Sequence, residues 1–392
     1  MKRTYLDYAA TTYIDPAVLR KMNPFLKGSF GNASSLHAAG REARFAIEQA
    51  RIGTAKILGC GSGEIIFTGS GTESDNLAIF GIADFYKDKG KHIIVSKIEH
   101  PAVMEAAKKL EKRGFEVSYL RVDSDGLADL EELKKIIRKD TILVSIIYAN
   151  NEIGTIQPIS EISEIIKSAR KNNSSEFPLF HTDACQAAGA LDLNVKKMRV
   201  DLMTLNGSKI YGPKGVGCLY VSKNVKLEPM IVGGGQESGL RAGTENAALI
   251  VGFAEALKLA DKIKIGESKR LKVLRDYLIK NILKNISRSR LNGNAVKRLP
   301  NNVNVSIKGV EGEAMALLLD KYGICASTGS ACSSRKLTPS HVLLAIGITP
   351  ELAHSSLRLT LGRKTTKRDA DYILKVLPNV IEKLREISSI KI

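Results

Sequence analysis

The chain has 392 residues and contains 59 Lys and Arg against 41 Asp and Glu, which gives a formal net charge of +18. With 44% hydrophobic and 26% charged residues, the composition is that of a globular protein and excludes a disordered or fibrous chain. At about 150 residues per domain, the length suggests two or three domains. Residues 261–392 hold 25 of the basic residues and 11 of the acidic ones. Such an excess is typical of a lysine-rich solvated surface or of a docking face for nucleic acid, acidic lipid or an acidic protein.

Cysteine spacing and the apolar stretches indicate the cellular compartment. The five cysteines are scattered and include no close CxxC pair, which argues against a disulfide framework and against a structural zinc site. The N-terminus lacks the apolar core of a signal peptide. The most apolar stretch, residues 247–260, is interrupted by Glu255 and is too short to span a bilayer. We therefore expect a cytoplasmic protein without a membrane partner.

The first part of the chain alternates short β-branched runs with longer amphipathic ones. The runs predict strands at 64–68, 92–96, 116–120, 142–148, 178–182, 201–205 and 216–221. Helical spacing fills the gaps, for instance at 101–113 and 159–170. Alternating strands and helices predict an α/β fold whose mainly parallel sheet is covered by helices on both faces. In such sheets, ligands bind where the chain leaves the carboxyl ends of the strands.

The pattern changes after residue 245. It predicts helices at 245–264, 268–283, 311–322 and 367–387 and strands at 302–307 and 355–360. This mixed order is typical of a smaller α+β domain. We therefore predict a large domain over 13–262 and a small domain built from 1–12 and 263–392. The stretch 327–339 is rich in Ser, Thr and Gly, contains Cys332 near its centre, and is predicted to be a loop of the small domain.

Three motifs at predicted strand ends carry candidate chemistry. Residues 69–72, Gly-Ser-Gly-Thr, precede a helix and can bind a phosphate, although an ordinary capped turn has the same pattern. Asp183 can hold a cationic ring nitrogen, a metal or a sugar, or can cap a helix; with only His181 nearby, a metal is disfavoured. Lys209, in a Gly-Ser-Lys turn, can clamp phosphate or form a Schiff base, whereas most lysines are surface charges. Asp183 and Lys209 lie one strand unit apart and so belong to the same sheet edge.

Together these motifs resemble the fold-type I enzymes that use pyridoxal 5′-phosphate (PLP). More narrowly, the chain resembles the cysteine desulfurases of the class-V aminotransferase family, in the group that serves nitrogenase maturation and general iron–sulfur cluster assembly. The resemblance extends from end to end. It is carried by YLDYAATT (5–12), FGNASSLH (30–37), GTESDN (71–76), EHPAV (99–103), NNEIGTIQP (150–158), HTDACQ (181–186), KIYGPKGVG (209–217), RAGTEN (241–246), STGSACSS (327–334) and SLRLTLGR (356–363).

The resemblance implies a fold-type I architecture, with a mainly parallel seven-stranded sheet and a smaller α+β domain, and a PLP site. Lys209 is expected to hold PLP covalently and then to act as an acid and base. Asp183 is expected to pair with the ring nitrogen and keep it protonated. Gln186 is expected to bond the ring hydroxyl oxygen. His100 is expected to stack on the ring and to move protons, a task suited to imidazole.

The phosphate site implied by the resemblance spans two subunits. Gly71 and Thr72 are expected to bind the phosphate with help from Ser208. A threonine of the second subunit completes this site in the family, and Thr244 matches it, so a homodimer is expected. The chain departs from the family here, because Ser208 stands where His is common and Asn206 where Ser is usual. These departures concern the grip on the phosphate rather than the chemistry.

The substrate and the sulfur acceptor are also implied by the resemblance. The family converts L-cysteine to L-alanine and leaves the sulfur as a persulfide on an enzyme cysteine, here Cys332. Asn151 and Arg358 are expected to bind the substrate carboxylate, and Asn151 also lies beside the cofactor. The sulfur is expected to pass to an iron–sulfur scaffold protein or another acceptor, tRNA thiolation included.

Other functions share parts of this pattern. An aminotransferase on the same fold has no use for Cys332 in a loop, and a selenocysteine lyase differs in the substrate it turns over. A sulfur-delivery platform would use the basic last third to dock a scaffold protein or tRNA. Aromatic residues are 5% of the chain and no stacking motif is evident, so direct nucleic-acid binding is disfavoured and a protein partner is favoured.

Overall fold

A computed structural model of the chain describes residues 3–329 and 338–387. Its strands are β1 Thr4–Tyr5, β2 Ile65–Thr68, β3 His92–Ser96, β4 Glu116–Leu120, β5 Thr141–Ser145, β6 Leu179–Asp183, β7 Leu202–Asn206, β8 Gly217–Val221, β9 Ser289–Leu291, β10 Asn302–Ile307, β11 Ile324–Cys325 and β12 Ser356–Thr360. Its helices are α1 Pro16–Lys27, α2 Ala38–Leu58, α3 Gly71–Phe85, α4 Pro101–Glu111, α5 Leu130–Ile136, α6 Ile159–Asn173, α7 Val195–Met198, α8 Ala247–Asn285, α9 Gly312–Lys321, α10 His341–Ala345, α11 Pro350–His354 and α12 Lys367–Ile387.

The largest sheet in the described part of the chain has seven strands in the order β2-β8-β7-β6-β5-β3-β4. β8 runs antiparallel to both neighbours, and the other strands run parallel to one another. One apolar cluster joins Ile94 and Phe180 to α2, α6 and α8, while a second joins Ile93 and Leu179 to α3 and α4. Because successive side chains of a strand point to opposite faces, the two clusters cover the two faces of the sheet. The predicted α/β fold with a mainly parallel sheet is confirmed.

The last third of the chain contains the antiparallel sheet β12-β10-β9, which has its own hydrophobic core. Its core combines this sheet with the second half of α8, α9 and α12, through residues such as Leu278, Leu319 and Ile373. Leu6, from the N-terminal segment, lies in the same core. The division into domains at residues 12 and 262 stays a prediction, and α8 runs without a break past residue 262.

The prediction of two separate helices at 245–264 and 268–283 is wrong, because the structure has one continuous helix, α8. Gly266 interrupts the apolar pattern between them. A single glycine inside a helix costs only about 1 kcal/mol relative to alanine, which does not end a helix that is packed on both sides of it. Leu257 and Leu271, on either side of Gly266, are both buried.

None of the helices in the described ranges is long and apolar enough to cross a lipid bilayer.

Candidate active site

Strand ends meet along one edge of the large sheet. β6 ends at Asp183, β7 ends at Asn206, and β2 leads into α3, which begins at Gly71. Since these strands run parallel, their carboxyl ends lie at the same edge. A cavity of about 270 Å³ opens there, near the lower end of the range for small-molecule sites. It is lined by Ala9, Ala10, Gly71, Thr72, Asp75, His100, Pro101, Ile147, Asn151, Glu152, Asp183, Cys185, Gln186, Asn206, Lys209 and Arg358.

The N-terminus of α3 forms one wall of this cavity. Ser70 caps the helix, with its Oγ accepting a hydrogen bond from the backbone N–H of Glu73 at 3.1 Å. A Cβ placed on Gly71 would lie 2.9 Å from Cys185 Sγ and 3.2 Å from Asn206 Cβ. Because glycine leaves this room, the first amides of a 15-residue helix remain accessible from the cavity. Amides at a helix N-terminus favour an anionic group such as a phosphate.

The carboxylate of Asp183 lies at the cavity and is almost fully buried. Its Oδ1 accepts a hydrogen bond from the backbone N–H of Cys185 at 2.9 Å, which fixes the orientation of the carboxylate. A buried carboxylate held in this way is suited to pair with a protonated ring nitrogen. Cys185 itself is buried, and burial raises the pKa of its thiol well above the usual range, so it is a neutral packing group.

Asp75 and His181 lie next to Asp183. The Oδ1 atom of Asp75 is buried, has no hydrogen-bond partner within the described residues, and lies 3.7 Å from His181 Nε2. Burial, and then repulsion from Asp183, raise the pKa of Asp75 well above its usual range. Burial lowers the pKa of His181 to about 4. His181 is therefore neutral near pH 7 and offers no cation that competes for Asp183.

The Lys209 amine lies against the N-terminal segment of the chain. Its Nζ donates to the backbone oxygens of Ala9 at 2.8 Å and Ala10 at 2.7 Å. Gln186 Nε2 donates to the same Ala9 oxygen at 3.0 Å. These hydrogen bonds hold the amine at the cavity wall. In the sheet, β7, which leads to Lys209, is separated from β2, which leads to α3, by the strand β8. A lysine amine fixed in a partly buried cavity is the group that a carbonyl compound needs to form a Schiff base.

The turn before Lys209 is organised by Asn206. Asn206 Oδ1 accepts hydrogen bonds from the backbone N–H and from Oγ of Ser208, both at 3.1 Å. Asn206 lines the cavity, whereas Ser208 does not. The two departures from the family pattern therefore contact each other, and Asn206 holds the Ser208 hydroxyl.

His100 caps the N-terminus of α4 from the opposite wall. Its Nδ1 accepts a hydrogen bond from the backbone N–H of Ala102 at 3.1 Å, which leaves the proton of the neutral ring on Nε2. Burial lowers the pKa of His100, although the charge of Asp183 works against this shift. A neutral imidazole at the cavity wall can stack on a planar ring and exchange protons.

Arg358 closes the end of the cavity that faces the small sheet. It lies in β12, is 2% exposed, and donates from Nη1 to the backbone oxygen of Asn151 at 3.1 Å. Its Nη2 donates to Asp7 Oδ1 at 3.0 Å. Glu152 lines the same end, accepts a hydrogen bond from Ser340 Oγ, and has its pKa raised to about 7 by burial. A buried guanidinium is suited to bind a carboxylate with two parallel hydrogen bonds.

Most of the predicted site residues thus lie around one cavity. Ser208 and Thr244 do not line it, and Thr244 is exposed. Cys332 lies outside the described residues. Three acidic residues at the site, Asp7, Asp75 and Glu152, were assigned no role from the sequence, although each belongs to a motif of the resemblance. Glu152 directly follows the predicted ligand residue Asn151, which was the available signal, whereas Asp7 and Asp75 stand next to no predicted site residue.

The donor set of the cavity fits PLP. The amine of Lys209 suits the aldehyde of that cofactor, and the buried carboxylate of Asp183 suits its ring nitrogen. The helix N-terminus at Gly71 suits its phosphate. The unpaired buried oxygen of Asp75 also indicates a cavity built around a further group. Potential metal-ligand atoms of Asp75, His100 and Asp183 lie within 4.8 Å of one another, but they line this same cavity. The expectation of no bound metal stays a prediction.

Comparisons with known proteins agree with this description. The aminotransferase class-V family model matches residues 4–373. A protein of Dictyoglomus turgidum named cysteine desulfurase IscS is 54% identical over 100% of this chain and 98% of its own length. A protein of Archaeoglobus fulgidus named cysteine desulfurase IscS 1 is 50% identical over 98% of both chains.

Solved structures give the same result. A structure described as a NifS-like protein superposes with a TM-score of 0.91 at 38% identity, covering 98% of this chain and 100% of the other. A NifS-like protein from Rickettsia africae gives a TM-score of 0.86 at 33% identity, with 97% and 100% covered. With the family model matching nearly the whole chain and relatives this similar over their full length, the chain belongs to the cysteine desulfurases of the PLP-dependent class-V aminotransferase family.

Proposed function

We propose that this protein removes the sulfur of L-cysteine, releases L-alanine, and carries the sulfur as a persulfide on Cys332. The observation that carries this proposal is the convergence of Lys209, Asp183 and Arg358 on one cavity. The first two residues suit PLP, and the third suits the carboxylate of an amino acid. L-Cysteine is the substrate in the name of the relatives, and Cys332 supplies the thiol that the reaction needs.

PLP, when bound, supplies an electron sink that stabilises negative charge on the amino-acid carbon. Lys209 would hold it and then act as the acid and base. Asp183 would keep the ring nitrogen protonated, since its orientation is fixed by the Cys185 amide. The amides of Gly71 and Thr72 would bind the phosphate at the start of α3.

His100 and Arg358 would handle the proton and the substrate. Because His100 is neutral with its proton on Nε2, it can stack on the ring and donate a hydrogen bond from Nε2 to a group that is losing or gaining a proton. Arg358 and Asn151 are joined by a hydrogen bond, so the guanidinium is fixed when a carboxylate arrives. A fixed guanidinium loses little conformational entropy on binding.

The sulfur step balances without an added oxidant. The Cys332 thiolate forms a bond to the substrate sulfur while the carbon–sulfur bond breaks. The electron pair of the broken bond stays with the carbon skeleton, which takes up a proton and becomes L-alanine. One thiol and one cysteine thus give one persulfide and one alanine.

Mass spectrometry after incubation with L-cysteine tests this proposal. We expect one added sulfur atom on the peptide that contains Cys332 and one L-alanine per sulfur in the first turnover. Lys209→Ala should give neither product. Cys325→Ala serves as the matched control, because this half-buried cysteine lies in β11 outside the cavity, and its loss should leave persulfide formation unchanged. A Cys332→Ala variant that still gained a sulfur in the presence of L-cysteine would contradict the assignment, and faster turnover of selenocysteine would favour a lyase.

We further propose that the active unit is a cytoplasmic homodimer. Large apolar side chains are exposed around α1, α2 and the segment after β8, for instance Phe30, Leu36, Phe45 and Val232. An apolar surface of this kind is typical of a subunit interface. Thr244 is exposed and does not line the cavity of its own chain. This placement supports a role for Thr244 in the phosphate site of the second subunit.

The sulfur acceptor is proposed to be an iron–sulfur scaffold protein that docks on the basic last third of the chain. Residues 261–392 carry 25 Lys and Arg against 11 Asp and Glu, so an acidic protein surface would be attracted. The persulfide-loaded protein of the assay above can be mixed with a scaffold protein or with tRNA. Transfer of the persulfide sulfur to tRNA alone would contradict this choice of acceptor.

A further inference from the structure

Asp7 connects three parts of the structure that meet at the substrate end of the cavity. Its Oδ1 accepts a hydrogen bond from Arg358 Nη2 at 3.0 Å, and its Oδ2 accepts one from Ser327 Oγ at 2.8 Å. Ser327 and Arg358 are also joined by two backbone hydrogen bonds, of 2.7 and 3.3 Å. The three residues thus form a closed set of contacts, although they come from the N-terminal segment, the segment after β11, and β12.

The Arg358 side chain has an incomplete set of partners. Its Nη1 and Nη2 each make a hydrogen bond, whereas its Nε is buried and has no partner within the described residues. The residue is 2% exposed and lines the cavity. An unpaired donor of a buried guanidinium is costly unless a ligand supplies the acceptor. This pattern indicates that the protein binds two nitrogens of the guanidinium and that the third is available to a ligand.

The charges around Arg358 show why Asp7 is needed. Asp7 is the acidic side chain in direct hydrogen-bond contact with Arg358 among the described residues, and its side chain is 15% exposed. Glu152 also lies near enough for Arg358 to act on its pKa, but burial raises that pKa to about 7. A carboxyl group with such a pKa is partly protonated near neutral pH and is a weaker counter-ion.

We propose that Asp7 is a positioning residue for substrate binding, which holds the Arg358 guanidinium in the orientation that receives the α-carboxylate of the substrate. This inference rests on the proposed function of Arg358 as the carboxylate-binding residue. A guanidinium held at Nη1 by the Asn151 backbone and at Nη2 by Asp7 cannot rotate about its terminal bonds without losing both contacts. Its Nε side then remains for the ligand.

The same contact couples the substrate site to Ser327. When a substrate carboxylate binds Arg358, it shares the guanidinium with Asp7 and weakens the attraction between them. Asp7 then relies more on its hydrogen bond from Ser327. Ser327, which Asp7 holds, stands five residues before Cys332 in the sequence.

Variants of Asp7 test this proposal through the separation of binding from turnover. For Asp7→Ala we expect both the KM for L-cysteine and the dissociation constant of L-alanine to rise about tenfold, because a charge-assisted hydrogen bond that fixes Arg358 is lost. The dissociation constant is measured from the change in cofactor absorbance. We expect kcat to fall much less. Asp7→Asn should restore both constants to within about threefold, because its amide oxygen still accepts from Arg358 and its amide nitrogen can donate to Ser327 Oγ.

Two further variants keep the outcomes separable. Asp7→Ser has a side chain too short to reach Arg358, and it is used if Asp7→Ala does not fold. Arg358→Lys tests the proposed function itself. If Arg358→Lys raises the dissociation constant of L-alanine but Asp7→Ala and Asp7→Ser do not, the inference about Asp7 is overturned while the role of Arg358 stands. If Arg358→Lys leaves that constant unchanged, the carboxylate-binding role of Arg358 is wrong and the inference falls with it.

Discussion

Glu99 is a buried carboxyl group directly before His100, at the edge of the active site. Its Oε1 accepts hydrogen bonds from Ser96 Oγ and from the backbone N–H of Ile147. Its Oε2 is buried without a hydrogen-bond partner in the part of the chain that the structure describes. Burial raises the pKa of Glu99 from 4.5 to about 8, and the charge of Asp183 adds to the shift. Glu99 is therefore protonated in the folded protein at neutral pH.

Replacing Glu99 by Gln is expected to flatten the pH dependence of stability. Between pH 4.5 and about 8, folded Glu99 keeps a proton that the unfolded chain has lost, so the stability from this group is full below pH 4.5 and is lost as the pH rises to about 8. The change amounts to at most about 1.4 kcal/mol per pH unit. Gln keeps the two acceptor contacts of Oε1 and cannot titrate.

The measurement is urea unfolding of the holoenzyme and of Glu99→Gln between pH 5 and 9. The free energy of unfolding should fall less steeply with pH in the variant. Glu131→Gln is the control, because Glu131 is 73% exposed and its replacement should leave the slope as it is. Equal slopes for wild type and Glu99→Gln would show that Glu99 is already ionised at pH 5.

The motifs predicted which residues lie at the cavity better than they predicted which residues contact each other there. Lys209 and Asp183 follow from their places at predicted strand ends, because parallel strands bring such positions to one edge. The pairing of Arg358 with Asp7 could not be predicted in this way. The two residues are separated by most of the chain, and the contact depends on how the N-terminal segment packs beside β12.

The segment that carries Thr244 is fastened to the large sheet by Glu237. Its carboxylate accepts two hydrogen bonds from Arg51 of α2, at 2.7 and 2.8 Å, and one from the backbone N–H of Phe67 in β2 at 2.8 Å. Glu237 has a φ of 46°, a conformation that non-glycine residues adopt rarely. Both side chains of the ion pair are largely buried. The ion pair thus holds a strained turn near Thr244.

Breaking this ion pair is expected to destabilise the protein strongly. Glu237→Gln leaves the buried charge of Arg51 with only the more exposed Glu48 as its counter-ion, 3.2 Å from Arg51 Nε, which costs about 3 kcal/mol. Urea unfolding of the holoenzyme measures the loss. Glu131→Gln removes an exposed ion pair with Lys134 and should cost no more than about 1 kcal/mol. A loss for Glu237→Gln as small as that of the control would contradict a structural role for the pair.

The strands of the large sheet were predictable because each corresponds to a short run of apolar, β-branched residues that can be recognised without knowledge of the rest of the fold. The strands predicted at 92–96 and 116–120 have the observed bounds, and the others differ by a few residues at most. Short strands such as β1 and β11 were not predicted, since two residues carry no period and their pairing is set by the rest of the fold. The length of α8 was missed for the opposite reason, because packing overrides the break at Gly266.

The proposed dimer would bring Thr244 of one subunit into the phosphate site of the other. Thr244→Val would remove one hydrogen bond to a charged group, so the dissociation constant of PLP should rise about tenfold. A single purified variant cannot tell which subunit the threonine serves, because both sites of its dimer are changed alike. A mixture of two different variants can, because it forms dimers whose two sites differ.

We expect Lys209→Ala and Thr244→Val chains to complement each other when they are coexpressed and assayed at limiting PLP. In the mixed dimer, one site combines Lys209 of the Thr244→Val chain with Thr244 of the Lys209→Ala chain and is intact. The other site lacks both groups. Desulfurase activity of the isolated mixed dimer should therefore approach half that of the wild type, with the PLP affinity of the wild type. If Thr244 instead serves its own chain, neither site is intact, and the mixed dimer should show only the weak PLP affinity of Thr244→Val.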